Sequence, residues 1–445
     1  MNISDEFDTI AAISTPFGTG GVGVIRISGE NAFEIIKKIF NNSDFEPRKF
    51  NHGWIVDEDK KIDEVIVLPF FAPNSYTGED VVEIQCHGGI NVVRNILELV
   101  LKNGARMAEK GEFTKRAFLN KRMDLSQAEA VADLIHSKTK EFAKVSTKNL
   151  SGVLKEKIND IRNRIFVILS KITAGIDFPE DVKEPEYDYL IETFENIISN
   201  IDSVLSGAKT SNLLRQGISV AIAGKPNVGK SSLFNALLSL DRAIVTDIAG
   251  TTRDILKETL DLGIPVTLID TAGIRGVNEE KDKVESIGIG YSKQSLNESD
   301  LVLFIYDAQT GLQNEDKEIL ELLKDKNYIK IANKADLTKE RNDDAVYISA
   351  LTGEGVNELK NLLTSKVCEI EPENLEFVTN SRQQVCLNRA RASLDQALMA
   401  AQIHELQDLI SIDVKAAILA LDELTGELIT DELLDNIFEH FCIGK

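Results

Sequence analysis

Gly224, Gly229, Lys230 and Ser231 stand in the spacing G-x-x-x-x-G-K-S, whose chemistry is the cradling of a polyphosphate. Glycines let successive backbone N–H groups turn toward phosphate oxygens, and a helix starting there adds positive potential. Lys230 is expected to reach the β and γ phosphates, and Ser231 to ligate Mg2+. Asn227, Val228 and Ser232 complete the loop around the nucleotide. Three further segments follow in the order such a site needs. Asp270-Thr271-Ala272-Gly273 closes the run VTLID; Asp270 can hold the metal's water shell, and Gly273 can meet the γ-phosphate. Asn333-Lys334-Ala335-Asp336 closes the run YIKIAN. The Asp336 carboxylate suits the adjacent N1–H and 2-amino donors of guanine. Adenine lacks that pair, so ATP would leave a buried charge unpaired. Ser349-Ala350, ahead of Gly353 and Gly355, is placed to pack on the base.

Residues 243–254, AIVTDIAGTTRD, lie between the phosphate loop and DTAG. Their stretch Thr246, Asp247, Ile248, Ala249, Gly250, Thr251 and Thr252 is expected on the nucleotide, with Thr251 and Thr252 in the switch that closes on Mg2+ and the γ-phosphate. One position departs from Ras-like switches, which carry a water-orienting Gln directly after the Gly of D-x-x-G. Here it is Ile274, so catalytic help must come from another residue of the chain or from a cation.

These motifs need positioning elements. ISVAIA ahead of Gly224 reads as a buried strand, and KSSLFNALL behind it as a helix, the strand–loop–helix context the mechanism requires. Strand and helix alternate through a domain of residues 215–370. Residues 1–120 read as mixed α/β, with β-rich runs at 9–14, 22–28, 64–71 and 81–86 and an amphipathic helix at 91–102. Helical periodicity fills residues 121–214, where Leu154, Ile158, Ile161, Ile165, Ile168 and Ile172 make one packed seam, and returns in 371–445. The reading is a multidomain α/β plus all-α chain: an N-terminal α+β domain, a discontinuous helical domain, and an α/β nucleotide domain inserted into it.

Composition narrows the class. With 445 residues, 43% apolar and 27% charged, the chain is long enough for about three folded domains. The four cysteines, Cys86, Cys368, Cys386 and Cys442, form no C-x-x-C pair, which argues against zinc or a disulfide framework. No apolar run suits a membrane span and no signal peptide is read, so a cytoplasmic protein is expected. A net charge of -22 excludes a generic nucleic-acid coater; any RNA contact must use a local patch or a partner.

Beyond the nucleotide motifs, GTGGVGVIRISG (18–29), SYTGEDVVEIQCHGG (75–89), GEFTKRAFLN (111–120) followed by DLSQAEAVADLI, and the terminal FCIGK (441–445) resemble the MnmE (TrmE) tRNA modification GTPases over nearly the whole chain. The resemblance implies that the N-terminal domain binds folate and dimerises, and that the inserted domain is a Ras-like P-loop GTPase. It implies GTP hydrolysis with Mg2+, stimulated by K+, in 5-carboxymethylaminomethyl-type modification of the tRNA wobble uridine. The one-carbon donor would be 5-formyl- or 5,10-methylene-tetrahydrofolate, used with glycine or ammonium. The partner would be an MnmG (GidA)-like flavoprotein carrying the FAD, in a heterotetramer with the homodimer.

Site residues carry over position by position. The K+ ligands would be Asn227, Thr246, Ile248 and Thr251, and the water-orienting acid Glu285 in VESIG (284–288), beside Lys230. A monovalent cation at the β–γ bridge stabilises the charge an arginine finger would stabilise. The folate positions fall on Arg26, Glu83, Arg122 and Lys445. The sequence departs from the family at Arg122, where Lys is usual; charge is kept but donor geometry changes. Cys442 is a candidate reactive thiol, and His87 reads as a satisfied turn histidine. A competing class is a regulatory or ribosome-assembly switch resembling Era or Der, which needs neither the N-terminal motifs nor FCIGK.

Overall fold

The computed structural model describes residues 8–42, 44–46, 49–240, 257–270, 299–338, 341, 344–367 and 376–445. The chain divides into two compact units: residues 1–132, 150–185 and 392–445 in one, and residues 133–149 and 186–391 in the other.

The first unit is built on a six-stranded sheet, β1 (Ile10–Ile13), β2 (Val22–Ser28), β3 (Asn51–Asp57), β4 (Lys60–Phe70), β5 (Val81–His87) and β6 (Arg106–Met107), in the order β3-β4-β5-β2-β1-β6. Alternation along β2 and β5 sends Ile25, Ile27, Val82, Ile84 and Cys86 to one face. There α1 (Ala32–Ile39) and α2 (Ile90–Lys102) close a core through Ile35, Ile36, Ile96 and Val100. Arg26 and Glu83, paired in register, share the opposite face. α3 (Glu112–Leu119) contributes Phe113 to that side, packed with Ile10 and Ala12. The strands expected at 22–28 and 81–86 are found within a residue of those bounds. β3, α1 and α3 were not legible: NHGWIVD mixes polar residues and glycine on an edge strand, and the two helices are eight residues each.

The Ile-rich seam is α6 (Val153–Asp177), with Leu154, Ile158, Ile161, Ile165, Ile168 and Ile172 all buried. It packs on α13 (Gln407–Thr425), where Val414, Ile418 and Leu421 are buried, and Arg162 pairs with Asp422 between them. α14 (Asp431–Phe438) starts on Thr430, whose hydroxyl accepts from Leu433 N–H. Its Leu434 and Phe438 join Ala117, Met123 and Leu125, which ties the chain's last helix to α3.

The second unit holds β7 (Ile218–Ala223), β8 (Lys257–Asp261), β9 (Pro265–Asp270), β10 (Leu301–Asp307), β11 (Tyr328–Asn333) and β12 (Val346–Tyr347), ordered β12-β11-β10-β7-β9-β8. Described pairings are parallel except the β8–β9 hairpin. Its central strands are apolar on both sides, as a sheet covered on both faces requires. Val220, Ile222, Leu303, Ile305 and Ile331 enter one core, and Val302, Phe304, Tyr306 and Ala332 another. The helices include α9 (Lys230–Leu240), α10 (Asn314–Leu322) and α11 (Val356–Val367). Phe142, Val145, Leu214 and Val378 belong to the same core as β7.

Candidate functional site

β7 is buried along nearly its whole length and delivers the chain to residues 224–229, after which α9 begins at Lys230. The Lys230 ammonium is held by two carbonyls of the loop it follows, Gly224 O at 2.8 Å and Lys225 O at 2.7 Å. Gly229 has φ +99°, and a Cβ there would lie 2.2 Å from Asn333 Nδ2, so glycine is required on both counts. Ser231 and Ser232 are exposed at the start of α9. β9 runs parallel to β7 with Asp270 level with Ile222, so Asp270 ends its strand at the mouth of the loop. A hydroxyl in the first helical turn is an oxygen donor of the kind Mg2+ takes. Ser231 would hold the ion directly.

The segments around Asn333 and Ala350 are stitched to the phosphate loop by one side chain. Asn333, 3% exposed, donates from Nδ2 to Val228 O at 2.8 Å and accepts at Oδ1 from Ala350 N–H at 3.0 Å. Lys334, at φ +64°, reaches Asp307 Oδ2 at 2.6 Å. Burial would raise the Asp307 carboxyl, but the bonds from Lys334 and the Gln309 N–H hold it below its ordinary range. Ala335 N–H donates to Ile348 O at 3.0 Å, and buried Ser349 accepts from Thr352 N–H at 3.2 Å, which shapes the turn holding Ala350. Asp336 is exposed and has no hydrogen-bond partner among the described residues. Its carboxylate is therefore available to a ligand.

A second cluster lies in the first unit, on the sheet face opposite α1 and α2. Arg26 donates from Nε to Glu83 Oε1 at 2.9 Å and lies 5.1 Å from the Tyr76 ring centroid and 5.5 Å from that of Phe113. The Arg122 guanidinium lies 5.3 Å from the Tyr76 ring centroid. The C-terminal segment joins them. Gly111 N–H donates to Cys442 O at 3.3 Å, Ile443 bridges to Lys110, and Gly444 O accepts from Ser14 Oγ at 3.2 Å and Arg26 Nη1 at 3.4 Å. Gly444 has φ +91°, and a Cβ there would meet Ile13 O at 2.3 Å, so only glycine lets the tail lie this close. Arg26 and Arg122, far apart in sequence, thus meet at the Tyr76 ring, and Glu83 and the Gly444 carbonyl are held there through Arg26. The array suits a planar, hydrogen-bonding, anionic ligand: carboxylate for a donor edge, guanidinium groups for carbonyls or carboxylates, and Tyr76 for an aromatic face. Cys442 is exposed, whereas Cys86 is buried. Burial, and then the charge of Asp63, push the Cys86 thiol up to about 11, which keeps it protonated and inert at neutral pH.

Thr246, Asp247, Ile248, Ala249, Gly250, Thr251, Thr252, Thr271, Ala272, Gly273, Ile274 and Glu285 lie outside the described residues, as does the Asp270 side chain. Sequence reading missed Ser14, Tyr76 and Phe113 beside Arg26, the Lys334–Asp307 pair, and Lys225 bonded to Asp316. None carries a local spacing signal. His87 proves exposed at the end of β5, with Nδ1 2.7 Å from Asp63 Oδ1 and its backbone N–H on Asp63 Oδ2 at 2.8 Å.

A parallel sheet that delivers a lysine-anchored phosphate loop to a helix, with an Asn-bridged guanine-reading segment alongside, defines a P-loop GTPase. The family description "GTP-binding protein TrmE N-terminus" matches residues 9–122, and "MnmE helical domain" matches residues 125–442. The tRNA modification GTPase MnmE of Thermoanaerobacter sp. (strain X514) is 46% identical over 461 residues, covering 99% of this chain and 100% of that protein. The proteins of the same description from Clostridioides difficile (strain 630) and Thermotoga petrophila are 44% and 42% identical; the matches cover 98% of this chain and 99% and 100% of theirs. The chain belongs to the MnmE family of tRNA modification GTPases.

Proposed function

We propose that this chain is a GTP hydrolase whose cycle serves 5-carboxymethylaminomethyl-type modification of the tRNA wobble uridine. In this reading Lys230 and the backbone of 227–231 hold the β and γ phosphates, and Ser231 and Thr252 bind Mg2+. Asp336 selects guanine, and Glu285 orients the attacking water. K+ takes the place of the missing Gln, ligated by Asn227 and by Thr246, Ile248 and Thr251. Support comes from Ile274, which cannot orient water, and from Asn227, exposed at φ +65° on the rim of the phosphate loop. Bound there, a monovalent cation would offset charge developing at the β–γ bridge.

The N-terminal cluster is read as the site of a tetrahydrofolate one-carbon donor, which supplies the carbon added to the base. Glu83 would take the amino edge of the pterin, with Arg26, Arg122 and Lys445 around its carbonyl and carboxylates. The observation that carries this reading is the seat of Gly444 on Ser14 and Arg26, since a nucleotide switch has no use for it. Residues 121–214 and 371–445 are read as one helical domain, and the working assembly as a cytoplasmic homodimer with an FAD-bearing MnmG-like partner.

Mass spectrometry of nucleosides from tRNA of a strain lacking the protein is expected to show loss of the modified wobble uridine; unchanged uridines would leave only a GTPase. Hydrolysis in K+ should exceed that in Na+ by more than about tenfold at equal ionic strength, a barrier difference of about 1.4 kcal/mol or more. Equal rates would remove the cation from the scheme.

A further inference from the structure

The second residue of the phosphate loop makes a contact that nucleotide binding does not require. Lys225 Nζ lies 2.8 Å from Asp316 Oδ2 and 3.5 Å from Glu315 Oε2, at the start of α10. The Asp316 side chain is 1% exposed, and its other oxygen, Oδ1, has no hydrogen-bond partner among the described residues. Asp316 also closes a capping box, accepting at Oδ2 from Gln313 N–H at 2.9 Å. An amide would serve that cap equally well. A buried carboxylate with one bare oxygen is costly, and among its described partners Lys225 is the one that supplies opposite charge.

Lys225 is also where the loop is gripped from inside, since its carbonyl accepts from Lys230 Nζ. Three residues on, the Val228 carbonyl is gripped by Asn333. Only Pro226 and Asn227 lie between these anchors. The Pro226 ring fixes its φ, and Asn227 sits in the left-handed region at φ +65°. With both ends tethered and both torsions restricted, the direction of the Asn227 side chain follows from where the anchors lie. The Val228 anchor belongs to the guanine-reading machinery. The Lys225 anchor is a charge pair to a helix that touches neither base nor phosphate in the reading above.

We infer that Asp316, through Lys225, is a positioning residue that aims Asn227 at its cation. The inference rests on the reading of Asn227 as a K+ ligand. The ion pair acts before the cation binds: it holds the amide oxygen where the cation will be, so its loss weakens cation capture more than it slows hydrolysis once the cation is in place.

The test on the full-length protein has two readouts: GTP hydrolysis titrated with KCl at constant ionic strength, and, without turnover, Tl+ binding in the presence of a non-hydrolysable GTP analogue, whose affinity should fall about as far as the KCl midpoint rises. Asp316→Asn keeps the helix cap and removes the charge; Lys225→Gln removes the other half and leaves the helix untouched. Each is expected to raise the K+ concentration for half-maximal activity by about fivefold, with the rate at saturating K+ within about twofold of the unmodified protein. The double variant should be no worse than either single one, and Lys225→Arg should restore the original midpoint. An unchanged midpoint in both single variants, with only a lower maximal rate or melting temperature, would reduce the pair to a helix cap and overturn the inference. Equal rates in K+ and Na+ for the unmodified protein would instead remove the cation reading of Asn227, and this inference with it.

Discussion

At the scale of single residues, the proposed base choice rests on one exposed carboxylate, Asp336. Asp336→Asn should weaken GTP by about 3 kcal/mol or more, roughly a hundredfold, because an amide cannot accept from both guanine donors. Xanthosine triphosphate, which offers an acceptor where guanine offers its amino group, should gain in affinity. Competition binding against a labelled guanine nucleotide measures both. The place of Asp336 just past the end of β11 was legible, because the apolar run YIKIAN marks the strand that precedes it. Lys225 and Asp316 were not: they lie 91 positions apart, and their relation exists only once β7 and β10 pair.

Elements hold these residues, and in the first unit one network holds the elements. Glu112 of α3 accepts from Arg106 Nη2 at 2.7 Å and Arg116 Nη2 at 2.9 Å, and both arginines also reach Asp8. Burial would raise the Glu112 carboxyl, but the bonds from Arg106, the Glu109 N–H and Arg116 hold it below its usual range. Its contribution is therefore present above the unfolded carboxylate pKa and is lost as pH falls through the lower folded value. Glu112→Gln should cost about 3 kcal/mol at neutral pH, since it leaves buried Arg116 short of a partner. The deficit should shrink in urea melts run on the acid side of that window. The tail gives a second test at this scale. Gly444→Ala places a methyl 2.3 Å from Ile13 O and should lift the segment off Ser14 and Arg26. Equilibrium binding of 5-formyl-tetrahydrofolate should then fall at least about tenfold with GTP hydrolysis unchanged; full retention would mean that the tail is no part of that site. The strands carrying Arg26 and Glu83 could be read from their alternation. The network could not, because an arginine on β6 and one on α3 look alike in sequence whether solvated or buried.

For the whole molecule, the two proposed ligand sites belong to different compact units. In hydrogen exchange, GDP should slow amides of 224–233, 333–337 and 349–353, and 5-formyl-tetrahydrofolate those of 13–15, 24–27 and 110–112, each leaving the other's set unaltered. Slowing of both sets by either ligand would point to coupling between them. Sequence pattern gave the insertion of an α/β domain between helical stretches because period 3.6 gives way to buried strands and then returns. It did not reveal that Phe142, Val145, Leu214 and Val378 enter the core of β7, since an amphipathic helix shows that a face is buried and not what covers it.

The discontinuity of the first unit has a consequence for how the chain is made. The isoleucine seam of α6 is covered by α13, and Arg162 meets Asp422 across 260 positions of sequence. Synthesis proceeds at roughly 5–20 residues per second, so the seam leaves the ribosome roughly 13 to 50 s before its cover exists. In that interval residues 186–391 of the nucleotide unit are translated, while the face of α6 that packs on α13 waits for its partner. Nascent chains of this protein should thus depend on a holding chaperone for longer than their size alone implies.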